Sequence, residues 1–157
     1  MKLETALAKA EAWAQAEQGA QLVLKQRLEA HERALGGGSP EEIAESLAGV
    51  DEALAGERER SRQRRIWTSA LAEIWGVEAR TLTLGSVVLR AGDLGERLAR
   101  RRTELEEAVR QTADAGRRVA MIARAQRSVV GEVLRTLTGA DPESPERASG
   151  TLVNAHA

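Results

Sequence analysis

Few side chains in this sequence could do chemistry. With no Cys, the chain has no thiolate metal site, no disulfide and no cysteine nucleophile. Its two His, His31 and His156, have no clustered carboxylates at i, i+3 or i+4, so neither starts a metal site. His31 falls on an apolar stripe near the end of the first predicted helix, where a His complements the helix dipole or edges the core. Glu104-Leu105-Glu106-Glu107 reads as a solvated helix face. The phosphate-cradling, dinucleotide and nucleophile-elbow patterns are all missing, and Gly36-Gly37-Gly38 has no strand before it and reads as a turn. The expectation is a protein that is not an enzyme and holds no cofactor and no metal.

Polar residues do gather at one level. Glu17 and Gln21 interrupt the apolar stripe of the first helix, and Glu57, Ser61 and Arg64 interrupt that of the second. Counted outward from the Gly37 turn, Glu17 and Glu57 are equidistant, and Thr112 of the last helix comes to roughly the same level. Three readings stay open. The residues form a buried polar layer that fixes helix register. They line a small-molecule site, for which only Arg64 offers a cation. Or part of the layer faces solvent.

Two basic clusters, Arg58/Arg60/Arg62/Arg64/Arg65 and Arg97/Arg100/Arg101/Arg102, are diluted by Glu57, Glu59, Glu104, Glu106 and Glu107. Only Trp67 is near for base stacking, and the net charge is −1, so they read as solvated faces rather than a nucleic-acid site.

The elements that must position these residues are helices. Ala, Leu, Glu and Arg dominate, with only 3 Pro and no Phe or Tyr. The reading is an all-α antiparallel bundle of three long helices, about 2–35, 40–75 and 93–138. A short connecting helix precedes the last, and 1–139 forms a single domain. The first helix carries Leu3, Leu7, Ala10, Ala14, Leu24, Leu28 and Leu35 in a 3–4 repeat and stops at the three glycines. Ser39-Pro40-Glu41-Glu42 starts the next, with Ser as N-cap, Pro at N1 and Glu at N3. So short a turn sends the second helix back along the first. Its stripe is Ile43, Leu47, Val50 and Leu54, then Thr68, Leu71 and Trp75, with Gly76 as C-cap. In the connection, Thr83 caps a short helix through Leu84, Val87, Val88 and Leu89. Asp93 and Glu96 supply a start for the last helix, whose stripe runs from Leu94, Leu98, Leu105 and Val109 to Leu137; its length is about 68 Å. Thr138-Gly139, Pro142 and Pro145 end it, and 140–157 reads as a flexible acidic tail. No apolar run approaches a membrane span and no leader is visible, so the expectation is a cytoplasmic chain without membrane insertion.

The second half of the last helix stands apart. Arg117, Arg118, Arg124, Arg127 and Arg135 face one acid, Glu132, and accompany the apolar Val119, Ile122, Ala123, Val129, Val130, Val133 and Leu137, with Gln126 among them. If the hairpin leaves the last turns uncovered, this strip is a partner site for an amphipathic helix, with Arg117, Arg124 and Arg127 for acidic residues on the partner.

The order of these features resembles the FlgN-like flagellar export chaperones, over about Leu22 to Leu137. The likeness comprises Leu28-Glu29-Ala30-His31-Glu32-Arg33-Ala34-Leu35 before the Gly turn and the second helix start from Ser39 to Leu54. It continues through Arg64, Arg65, Leu71-Ala72 and Gly76, the Thr81-Leu82-Thr83-Leu84 connection, and Met121-Ile122 with Ser128 to Leu137 in the last helix. Two features depart from the family: Ala125-Gln126 stands where it has asparagines, and the chain has no Tyr or Phe. The resemblance implies a cytoplasmic type III export chaperone. It would bind the C-terminal helical region of hook–filament junction (hook-associated) proteins, keep them unassembled and deliver them to the flagellar export gate. The resemblance also implies substrate capture at the end of the last helix. The alternative is a structural coiled-coil protein whose last helix mediates homodimerisation or scaffolding.

Overall fold

Helix start and stop signals account for most of the element boundaries. The computed structural model describes residues 2–138, all of whose regular structure is helical, so the chain is all-α. The elements are α1 (Leu3–Gly37), α2 (Pro40–Leu54), α3 (Glu57–Trp75), a short 3₁₀ turn (Ala79–Thr81), α4 (Leu84–Ala91), a second 3₁₀ turn (Gly92–Gly95) and α5 (Glu96–Thr138). The predicted stop at Gly139 and the tail 140–157 lie outside the described residues. The chain divides into two compact units, Met1–Ile122 and Ala123–Ala157, where the sequence places one domain over 1–139.

In the first unit, α1 ends as its glycines dictate. The Gly38 N–H donates to the Ala34 carbonyl at 2.7 Å, and a Cβ at Gly38 would lie 2.8 Å from that same oxygen. Ser39 then forms the complete capping box. Its Oγ accepts from the Glu42 N–H at 3.2 Å, and its own N–H donates to Glu42 Oε2 at 2.7 Å. Ser39→Ala removes one of these bonds and is expected to lower stability by about 1 kcal/mol, read as a shift in the urea midpoint at unchanged slope. A loss below about 0.3 kcal/mol would show that the box contributes little. Thr83 caps α4 in the same way with Ser86, and Gly76 closes α3 in the left-handed conformation at φ 62.

The predicted helix 40–75 is broken at Ala55-Gly56. The Ala55 N–H donates to Glu52 O in a 3₁₀ bond, while both residues keep right-handed dihedrals (φ −55 and −79). The residues following the break explain it. From Glu57 to Arg65 there is no apolar side chain, so packing does not hold the helix there, and Gly56 lowers local propensity by about 1 kcal/mol relative to Ala. The last helix also starts later than expected, at Glu96 rather than Asp93, because Asp93 sits inside the 3₁₀ turn.

Contacts along α1 set the packing. His31 meets Ser46, Arg27 meets Glu52, and Glu17 meets Arg60, so partner numbers on α2 and α3 rise as those on α1 fall. On α5 the numbers rise together: Glu11 with Arg97, Gln21 with Thr112, Glu32 with Arg118. The core is Ala6, Leu7, Ala10 and Ala14 of α1, Trp67 and Leu71 of α3, Leu82, Val87 of α4, and Leu98 and Leu105 of α5. Several residues assigned to stripes face outward instead. Leu89 is 83% exposed, Leu94 58%, Leu47 48% and Val109 44%.

Candidate functional site

Two features of the structure qualify as sites, one polar and one apolar. The polar layer forms in part: Glu17, Gln21 and Thr112 join it, while Glu57, Ser61 and Arg64 of the second limb are exposed. Arg60 takes the place of Glu57: its Nε donates to Glu17 Oε2 at 2.8 Å, with side chains 20% and 18% exposed. Glu17 also accepts from Gln21 Nε2 at 2.9 Å, and buried Thr112 donates to the Gln21 carbonyl at 2.8 Å. One turn away the Trp13 indole N–H donates to the Arg60 carbonyl at 2.9 Å, its ring lying 5.6 Å from that of Trp67. Arg64, the cation expected in the layer, instead stacks over Trp13 at 5.9 Å. Glu17, Gln21, Arg60 and Thr112 are thus partnered across neighbouring turns or helices, an arrangement suited to fixing helix register. The sequence missed Arg60 because the count runs from Gly37, whereas the turn is centred on Gly38-Ser39: His31–Ser46 before the break and Glu17–Arg60 after it share that midpoint.

Glu17→Ala strands the largely buried Arg60 guanidinium. The expected loss is about 1–2 kcal/mol, between the values for exposed and fully buried pairs. A double-mutant cycle with Arg60→Ala should return a coupling of about 1 kcal/mol, and additive losses would show that the pair is not coupled.

Of the other residues considered for chemistry, His156 lies outside the described residues. His31 is buried, with Nδ1 2.8 Å from Ser46 Oγ. Several arginines of the basic clusters pair with acids on neighbouring turns or helices: Arg62 with Glu59, Arg101 with Glu104, Arg102 with Glu106 and Arg97 with Glu11. Among the described residues no group of three His, Cys, Asp or Glu could hold a metal, and no helix is long and apolar enough to cross a membrane.

The apolar feature is the second half of α5. In the first unit, Val119 and Ile122 are half-buried. In the second unit Ala123 and Gln126 are exposed, as are Val129 (60%), Val130 (57%), Val133 (50%) and Leu137 (77%). Leu134, which the periodicity left out, is 55% exposed beside them. Helical geometry then sorts the arginines. Within the second unit, at about 100° per residue, Arg124 and Arg135 point about 150–170° away from the middle of the strip, and Arg127 borders it, about 20° from Leu134. Arg117 is engaged with Asp114 on its own helix. So Arg124, assigned to partner binding from sequence, lies on the face away from the apolar strip, and proximity in sequence concealed this.

No family model, no curated protein and no solved structure matches the chain.

Proposed function

We propose that this protein is a cytoplasmic flagellar export chaperone of the FlgN-like type. Its client is the C-terminal helical region of a hook–filament junction protein, held unassembled and delivered to the export gate. The observation that supports this reading is the row Val129, Val130, Val133, Leu134 and Leu137 on one helix face, each at least half exposed. A client's amphipathic assembly helix buries its own apolar face on such a row, which blocks premature polymerisation by occupying the surface that polymerisation uses. Arg127, at the border of the row, is placed for a carboxylate on the client. With this reading goes an antiparallel bundle of three long limbs: α1, α2 with α3, and α5.

The test mixes the full chain with the C-terminal helical segment of a junction protein and follows binding by calorimetry. A saturable complex is expected. A tight dimer whose mass does not change on dilution, together with no binding of the segment, would instead favour a coiled-coil scaffold protein.

A further inference from the structure

Two grooves of the first unit offset their arginines with acids. One holds Arg97, Arg100 and Arg101 together with Glu11 and Glu104; the other holds Arg27 and Arg33 together with Glu42 and Glu45. A third groove, of about 470 Å³, differs. One wall is a face of α3, where Ser61, Arg64, Arg65, Thr68 and Ser69 fall at i, i+3, i+4, i+7 and i+8. The opposite wall is the return after Gly76, with Arg80 in the 3₁₀ turn and Ala79 and Leu82 beside it. The Thr81 N–H donates to Glu78 O at 3.1 Å and the Leu82 N–H to Ala79 O at 3.2 Å, which holds this wall in shape. Three guanidinium groups line the groove and, among the described residues, no carboxylate does.

Much of the donor capacity of these groups is unspent. Among the described residues, the Arg64 and Arg65 side chains have no ion pair and no hydrogen bond. Arg64 is held instead by the Trp13 ring, 5.9 Å from its Cζ, and Trp13 is fixed by its indole bond to the Arg60 carbonyl. A guanidinium stacked on an aromatic face keeps its in-plane N–H donors for an oxyanion. Arg80 gives its Nε to Glu78 at 2.5 Å, and its terminal nitrogens remain. The Thr68 hydroxyl is committed to the Arg64 and Arg65 carbonyls. Those of Ser61 and Ser69 have no partner among the described residues.

We infer that this groove binds a small phosphate-bearing anion. A phosphate ester carries about −1.5 to −2 charges and three acceptor oxygens, enough to engage several guanidinium groups where a lone carboxylate engages one. The groove's volume falls in the range of small-molecule sites, about 300–1,000 Å³, and Ala79 and Leu82 offer an apolar wall to the organic part. A polyanion surface is disfavoured, because it needs a broad basic face. Here Arg60 and Arg62 on the same helix pair with Glu17 and Glu59, and the net charge is −1. The site is independent of the chaperone reading.

The experiment titrates the full chain with pyrophosphate by calorimetry at low ionic strength, and with citrate as a polycarboxylate for comparison. Saturable one-to-one binding of pyrophosphate, tighter than that of citrate, is expected. Arg64→Gln and Arg65→Gln should each weaken it about tenfold, and Arg80→Gln, whose charge is shared with Glu78, about threefold. Arg124→Gln removes the same charge from α5 outside the groove and should leave binding unchanged. Arg64, Arg65 and Arg80 are exposed, so circular dichroism should show the same helix content in every variant. Absence of saturable binding, equal affinity for citrate, wild-type affinity in Arg65→Gln, or an equal loss in Arg124→Gln would each overturn the inference. None of these outcomes bears on binding of the junction-protein segment, so the chaperone reading is tested separately.

Discussion

Trp67→Ala is expected to lower the free energy of unfolding by about 3–5 kcal/mol, the largest single effect in this chain. The side chain is 1% exposed and packs in the cluster that joins α1, α3, α4 and α5. The cluster around it is mostly small or branched, with Ala6, Ala10 and Ala14 from α1, Leu71 from its own helix and Val87 from α4, and the Trp13 ring lies 5.6 Å away. The alanines and Val87 cannot expand into the space a Trp leaves, so a cavity remains and its cost adds to the lost transfer energy. Domains of this size are stable by about 5–15 kcal/mol in total, so the variant should unfold at much lower denaturant, as followed by far-UV circular dichroism. Trp67→Phe separates packing from polarity. The indole Nε1 is buried with no hydrogen-bond partner, and removing it takes away a cost of about 1–3 kcal/mol. Phe should therefore recover most of the stability that Ala loses. A loss below about 1 kcal/mol for Trp67→Ala would mean that this cluster is not the core.

Val130→Asp and Val133→Asp are expected to do the opposite: little to stability and much to binding. Both sites are at least half exposed, at 57% and 50%, where a polar substitution costs no more than about 0.5 kcal/mol. Val and Asp also have similar helix propensities, so helix content should hold. In the complex each position would be covered. Losing a buried Val forfeits about 1.5–3 kcal/mol, and a carboxylate pressed against apolar surface adds desolvation. At 1.4 kcal/mol per factor of ten, the client should bind at least about tenfold more weakly. Global unfolding by either substitution would show that the strip is core, and the functional reading would fall with it.

These two expectations draw on different levels of the chain. The strip was named from sequence because β-branched residues at helical spacing with arginines among them are visible in a list of residues. Its residues Val129, Val130, Val133 and Leu137 are indeed exposed, but neither the exposure nor the direction of each arginine follows from composition. Arg124 is close in sequence to the strip and about half a turn of helix away from it. Leu134 was overlooked for the converse reason: it falls outside the a and d positions, yet it lies on the edge of the same face.

What the sequence by itself determined is local. The Ser39 and Thr83 capping boxes, the Gly38 stop and the left-handed Gly76 involve residues within a few positions of one another. Such bonds form wherever the chain carries those side chains. The polar layer was legible at the level of Glu17 and Thr112, because an apolar stripe with polar gaps must bring those gaps together or expose them. Only the tertiary structure decided that Arg60 rather than Glu57 answers Glu17, that the second limb breaks at Gly56, and that Leu89, Leu94 and Val109 face outward. Periodicity states which side chains share a face of a helix; whether another helix lies across from that face depends on the lengths and breaks of every other element.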